Sequence, residues 1–187
     1  MLKAVEASLQ ESLKVKAQFI NSAPQIVQAA QLMVQCLKNG GKLLICGNGG
    51  SAADSQHIAA ELMGRFQSER PALAAIALSV DSSFLTAWAN DYDYDSVFER
   101  QVSGLGKLGD VLLCISTSGN SKNVLKAAKK AKELGLKTIA LSGKDGGTLR
   151  EHCDVSIVAP SDKTARIQEC HIAAYHCICE IIDREFS

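Results

Sequence analysis

Residues 42–52 read KLLICGNGGSA, a short and mostly apolar run that ends in a glycine-rich loop. Glycines bound the run on both sides, Gly40-Gly41 before it and Gly47 after it. That pattern predicts a strand buried on both faces, as in a parallel sheet. The residues that follow the loop have helical spacing, so the stretch is a strand–loop–helix unit.

The unit recurs down the chain. ALAAIAL (72–78) leads into serine-rich turn residues and the helical SSFLTAWAN. After a helix near 94–106, DVLLCIS (110–116) runs into TSGNS and the helix VLKAAKKAKELG. TIALS (138–142) precedes GKDGG and a short helix, VSIVAP (155–160) is a fifth strand, and a long helix from Thr164 to Arg184 closes the pattern. Alternating strands and helices predict an α/β fold with a parallel sheet covered on both faces. Upstream lie two amphipathic helices, 2–20 and 25–38, broken at Ser22-Ala23-Pro24, where Pro24 suits a first helical turn. The expected organisation is one domain over 1–187, with N-terminal helices in 1–40 and the α/β core in 41–187. The first helix has no strand to follow. Its apolar positions Leu2, Val5, Leu9 and Leu13 call for burial, either against a neighbouring subunit or on the domain itself.

Composition narrows the function classes. The 187 residues are 47% hydrophobic, with 20 basic side chains balancing 20 acidic ones, so neither nucleic acid nor an anionic membrane is the expected main partner. A small anion remains compatible with zero net charge, because a few local donors suffice to hold it. MLKAVEASLQESLKVKAQF lacks the apolar core of a signal peptide, and no stretch approaches the ~20 apolar residues of a membrane span. Cys36, Cys46, Cys114, Cys153, Cys170, Cys177 and Cys179 form no C-x-x-C and read as small apolar residues in a reducing, cytoplasmic setting.

Ligands of parallel α/β sheets bind at the carboxyl ends of strands, where helix N-termini present free amides. Three loops there are rich in small polar residues. Gly47-Asn48-Gly49-Gly50-Ser51-Ala52 allows the backbone to approach an anion closely, and Ser51 could cap the helix or bind the ligand. The loop also satisfies G-x-G-x-x-A, but a dinucleotide site needs an acidic residue at the end of a second strand about 20 positions on. Residues 65–70 read RFQSER before a proline, which is no strand end. A turn that merely tightens the strand–helix connection is the plainer alternative. Ser116-Thr117-Ser118-Gly119-Asn120-Ser121 offers four hydroxyls, more than helix capping requires, and suits a phosphate monoester. Ser142-Gly143-Lys144-Asp145-Gly146-Gly147 reads equally well as an ordinary turn or as a ligand loop. Asn90 and Asp91, at the end of a helix, could reach sugar hydroxyls.

Two helices carry groups capable of chemistry. His57 and Glu61 stand four apart on the helix opened by the glycine loop, hence on one face. A surface His–Glu contact and a metal or catalytic pair both fit that spacing. On the last helix Gln168 and His176 are separated by about 12 Å along the axis. One metal could join them only if both side chains stretched, or if two subunits contributed. His171 lies on another face and reads as structural or exposed, and His152 has no evident role.

CGNGGSAADSQHIAAEL, AND, ISTSGNS, TARIQECH and then His176 together resemble the phosphoheptose isomerases of the sugar isomerase (SIS) group, over nearly the whole chain. The resemblance implies a three-layer α/β/α sandwich with a five-stranded, flavodoxin-like parallel sheet plus the N-terminal helices, and a homotetramer with active sites between subunits. It implies isomerisation of sedoheptulose 7-phosphate to D-glycero-D-manno-heptose 7-phosphate, the first step towards ADP-heptose and the lipopolysaccharide core. Glu61 and His176 would then be the acid/base pair. Ser116, Thr117, Ser118 and Ser121 would hold the phosphate, and Asn48, Gly49, Gly50, Ser51, Asn90, Asp91 and Gln168 would line the sugar site. In zinc-containing members the matching ligands are His57, Glu61, Gln168 and His176. Ala165 stands where some relatives carry an acidic residue. Moving a carbonyl between C1 and C2 through an enediol needs one base for a carbon-bound proton and a partner that shuttles protons between the oxygens, and Glu61 is the expected carbon base. A non-catalytic SIS tetramer that associates with the bacterial replication initiator is the main rival, and the presence of Glu61 and His176 argues against it. A phosphosugar-sensing SIS regulator is the third reading, but such modules accompany a DNA-binding domain for which this chain has no room.

Overall fold

The computed structural model describes Met1–Ser187. Five strands form one sheet: β1 (Leu43–Gly47), β2 (Ala75–Ala77), β3 (Val111–Ser116), β4 (Lys137–Gly143) and β5 (Val155–Ala159). Their order is β2-β1-β3-β4-β5 and every pair is parallel, the expected architecture. The apolar runs are continuous because successive side chains feed two separate cores. Leu43, Ile45, Leu113 and Ile115 enter one core, while Leu44, Cys46, Leu112 and Cys114 enter the other.

Helices α1 (Leu2–Phe19), α2 (Ala23–Lys38), α3 (Gly50–Met63) and α8 (Thr164–Phe186) contribute to the first core. Helices α4 (Ser82–Asp91), α5 (Val97–Leu105), α6 (Lys122–Glu133) and α7 (Leu149–His152) pack on the second. Three boundaries differ from the sequence reading. The Ser22-Ala23-Pro24 break is a 3-10 turn, Ile20–Ser22, that passes directly into α2 with Pro24 in its first turn. The strand expected over 72–78 narrows to Ala75–Ala77, the length that an edge strand pairs with Leu43–Ile45. The helix near 94–106 opens as a 3-10 turn, Tyr94–Ser96, before α5.

Helix α1 buries Val15 and Phe19 at its end, but its earlier turns meet α8 through polar groups. Ser12 Oγ donates to Glu169 Oε2 at 2.6 Å, and Arg166 Nη1 reaches the Ser8 carbonyl at 2.6 Å. Lys163 meets Glu11 at 2.5 Å. Leu2, Val5, Leu9 and Leu13 are left outside, 56–72% exposed, so their own domain does not bury them. The sheet's order changes direction between β1, whose next strand lies to one side, and β3, whose successors lie to the other. That switch point opens a crevice at the carboxyl ends of β1 and β3, the place where such sheets take ligands.

Candidate active site

The loops after β1 and β3 meet across this crevice. Asn48 Nδ2 donates to Asn123 Oδ1, and Asn123 Nδ2 donates back to Asn48 Oδ1, both at 2.9 Å. The Tyr94 hydroxyl adds a bond to Asn48 Oδ1 at 3.2 Å. Gly47 lies hard against the next helix, since a Cβ there would fall 2.7 Å from Ser51 Cβ. Ser51 is accordingly buried in the first turn of α3 and makes no cap; Gly49, at φ 55°, occupies the cap position. Only glycine tolerates that backbone cheaply.

In the second loop Ser116 Oγ and Ser121 Oγ share a hydrogen bond of 2.9 Å, with Ser118 Oγ 3.5 Å from Ser116. The Asn120 amide donates to Ser118 Oγ at 3.1 Å. Thr117 and Ser121 are half-buried, and Ser121 heads α6 without capping it. Three hydroxyls therefore converge at a helix N-terminus, the donor arrangement a phosphate uses. The third loop is a buttress for this one. The Leu149 amide donates to the Gly119 carbonyl at 2.9 Å, and the Thr148 amide to Asn120 Oδ1 at 3.0 Å. A Cβ on Gly119 would sit 2.0 Å from the Gly146 carbonyl oxygen.

Helices α3 and α8 lie side by side with their site residues in step. Gln168 covers Gly50, where a Cβ would come within 2.3 Å of Gln168 Nε2. Seven residues further along α3, the His57 ring is 5.3 Å from that of His176, centroid to centroid. His57 Nε2 lies 2.9 Å from Glu61 Oε1, and the Tyr175 hydroxyl shares a 3.0 Å hydrogen bond with His57 Nδ1. A neutral ring that donates from Nε2 to the carboxylate accepts at Nδ1 from the tyrosine. The Phe66 ring closes the His176 side at 5.6 Å. Burial, then the neighbouring Asp54, pushes the Tyr175 hydroxyl far above the usual phenol range, which keeps it a neutral hydrogen-bonding group. Asp54 is itself raised by burial, against the pull of His57 and Tyr175, and its Oδ2 has no hydrogen-bond partner.

His57, Glu61 and His176 thus share one neighbourhood, whereas Gln168 stays about 12 Å back along α8 from His176, at the glycine loop. Two imidazoles and a carboxylate are donor types that zinc accepts, so the set fits a zinc ion in kind. Within this chain no three His, Cys, Asp or Glu side chains converge on one point. Asn90 and Asp91 bond to each other, Nδ2 to Oδ1 at 3.0 Å, at the end of α4. His171 is fully buried and ties α8 to the Ser142 carbonyl at 3.0 Å; desolvation lowers its pKa to about 4, opposed by that bond. Sequence reasoning missed Asn123, Tyr175 and Asp54. Asn123 in the first turn of α6 was the one readable signal, a polar residue facing a loop already singled out.

Comparison with known proteins agrees with this fold. Residues 8–143 match the family model described as SIS domain, and the chain is a SIS-domain protein. It is 55% identical over 186 residues to the phosphoheptose isomerase of Campylobacter jejuni, with both chains covered fully. It is 54% identical to that of Helicobacter pylori, over 100% of this chain and 90% of the other. The solved phosphoheptose isomerase of Neisseria gonorrhoeae superposes with a TM-score of 0.93 at 49% identity, covering 98% of each chain. That of Francisella tularensis gives a TM-score of 0.94 at 43% identity, again over 98% of each. The chain belongs to the phosphoheptose isomerase family.

Proposed function

We infer that this protein is an aldose–ketose isomerase that converts sedoheptulose 7-phosphate to D-glycero-D-manno-heptose 7-phosphate. The observation that carries the reading is the presence of two separate centres, one at the loop that opens α3 and one in the second half of that helix. A hydroxyl-rich loop for a phosphate lies at the switch point, and an acid/base cluster lies further along α3 and α8. A phosphorylated heptose has that layout, with its carbonyl carbon and its phosphate at opposite ends of a seven-carbon chain. Non-catalytic binding would require only the first centre.

Ser116, Thr117, Ser118 and Ser121 hold the phosphate. Asn48, Gly49 and Gly50 border the sugar beneath Gln168, with Asn90 and Asp91 at the crevice rim and Ser51 supporting the loop from below. Glu61 takes the proton from the carbon next to the carbonyl and returns it to the neighbouring carbon. His176 moves the proton between the two oxygens of the enediol. Tyr175 and Glu61 hold His57 between them, which fixes its ring plane beside His176. One zinc ion per subunit belongs to this reading, with His57, Glu61, Gln168 and His176 as ligands; because Gln168 of the same chain sits at the glycine loop, the reading has two subunits contribute to the set. When bound it supplies Lewis-acid polarisation of the carbonyl.

The apolar stripe on α1 supports a homotetramer with sites between subunits, because no residue of its own chain covers Leu2, Val5, Leu9 or Leu13. The reading puts the enzyme in the cytoplasm, at the first step towards ADP-heptose and the lipopolysaccharide core; none of the seven cysteines is paired, and no helix is long and apolar enough to cross a membrane.

The test is conversion of sedoheptulose 7-phosphate followed by proton NMR in deuterated solvent. Glu61→Gln and His176→Gln should each lose a factor of roughly 100 to 10,000 in turnover. Loss of carbon–proton exchange only in Glu61→Gln would assign the carbon base. Wild type that produces no aldose, with or without added zinc, would favour the non-catalytic SIS tetramer.

A further inference from the structure

Arg70 and Asp183 form an ion pair closed to solvent at both ends. Their side chains are 1% and 3% exposed, with Nε 2.7 Å from Oδ1. Arg70 also donates from Nη2 to the Glu61 carbonyl at 2.7 Å, and from Nη1 to the carbonyls of Leu62 and Pro71 at 2.9 and 3.1 Å. Asp183 Oδ2 accepts from the amides of Gln67 and Ser68 at 2.7 and 2.8 Å. Burial opposes ionisation of Asp183, but those amides and Arg70 outweigh it and hold the carboxyl below its usual range.

A buried ion pair adds little net stability compared with apolar side chains of the same volume, so what this one touches is informative. Two of the carbonyls it holds, those of Glu61 and Leu62, belong to the last turn of α3. The amides it holds directly follow Phe66, whose ring lies against His176. Asp183 itself stands on α8, two turns beyond His176. One pair therefore joins the backbone of Glu61, the Phe66 wall and the helix of His176; Tyr175 and His57 also link α8 to α3, but only the ion pair brings in the segment after Phe66.

We propose that the Arg70–Asp183 pair is a positioning device for the isomerisation centre, fixing Glu61 and Phe66 against the His176 face of α8. The proposal rests on Glu61 and His176 being the acid/base pair. The molecule contains its own control for a purely structural role. Asp110, 3% exposed, is satisfied in the same way, by the amides of Lys42 and Lys107 at 2.9 Å each and by Lys42 Nζ at 2.5 Å. It stands at the amino ends of β1 and β3, away from the site.

Asp183→Asn and Asp110→Asn in the full chain are compared for melting temperature, kcat and KM with sedoheptulose 7-phosphate. Both should melt lower. Asp183→Asn should lose roughly tenfold or more in kcat, since small displacements of reacting groups are expensive, with KM changed less than about threefold because the phosphate loop is untouched. Asp110→Asn should keep kcat within about twofold. Arg70→Lys, which keeps the charge and loses the fork that spans the carbonyls of Glu61, Leu62 and Pro71, should repeat the kcat loss, and it decides the matter if Asp183→Asn does not fold. Retention of near-wild-type kcat by the folded clamp variants overturns the proposal. Retention of turnover by Glu61→Gln would instead show that the acid/base assignment beneath it is wrong.

Discussion

The two ends of the sheet treat polar groups in opposite ways. At the amino ends of β1 and β3, Asp110 collects two amides and an ammonium, and the turns there serve only to close the fold. At the carboxyl ends, hydroxyls bond mainly to one another. The same alternation of strand and helix produces both ends. The difference is that one end is satisfied within the chain and the other keeps donors in reserve. A region whose hydroxyls bond mainly to one another can turn those donors to a ligand.

Gly119→Ala should break the contrast most severely. The new methyl would meet the Gly146 carbonyl oxygen at 2.0 Å, and the backbone would be held at positive φ. Both loops are pinned by the Leu149 and Thr148 amides, so neither can withdraw cheaply. Clash and strain together should destabilise the protein by roughly 3 kcal/mol or more. Inorganic phosphate, tested by its protection against thermal unfolding, should no longer raise the melting temperature. A variant that folds normally and still responds to phosphate would show that the third loop is not a buttress.

How much of this was legible follows from range. The strands were readable because burial on both faces leaves unbroken apolar runs, and His57–Glu61 was readable because i,i+4 is a local relation. The polar loops were visible as loops. What they touch was not, because Gly119 meets Gly146 only through the packing of two crossovers. Arg70 and Asp183, 113 positions apart, have no local signature at all. Tyr175 was hidden by its setting between two histidines on a largely apolar helix face. The stripe on α1 was readable as apolar, but its outward direction needed Ser8, Glu11 and Ser12 to be seen facing α8.

Beneath the site end, His171 offers a smaller effect that depends on pH. Its folded pKa, lowered to about 4, lies below the ordinary 6.5, so the unfolded chain binds a proton that the folded chain refuses. Above pH 6.5 both states are neutral and the residue contributes no slope. As pH falls through the window from 6.5 to 4, stability is lost, approaching about 3 kcal/mol at its lower edge. Urea unfolding at pH 7, 5.5 and 4.5 would show the slope. His171→Gln, which retains an N–H for the Ser142 carbonyl, should flatten it, and parallel curves for the two proteins would remove His171 as the cause.

Lys42→Met should have the least effect and sharpen the comparison from the quiet end. The lysine is 21% exposed, so water already screens part of its attraction for Asp110. Asp110 keeps its two amide donors when the ammonium is lost, and the methionine chain follows the path of the lysine stem. The expected loss is about 1 kcal/mol in chemical denaturation, with kcat unchanged. A comparable change in charge beside Asp183 removes the fork that holds the Glu61 carbonyl, and there the loss should be in turnover. If Lys42→Met slows catalysis as well, strain travels the length of the strands, and the two ends of the sheet are not independent. If only stability moves, the amino end is scaffold and the reactivity of the molecule is confined to the carboxyl ends and the pair of helices beside them.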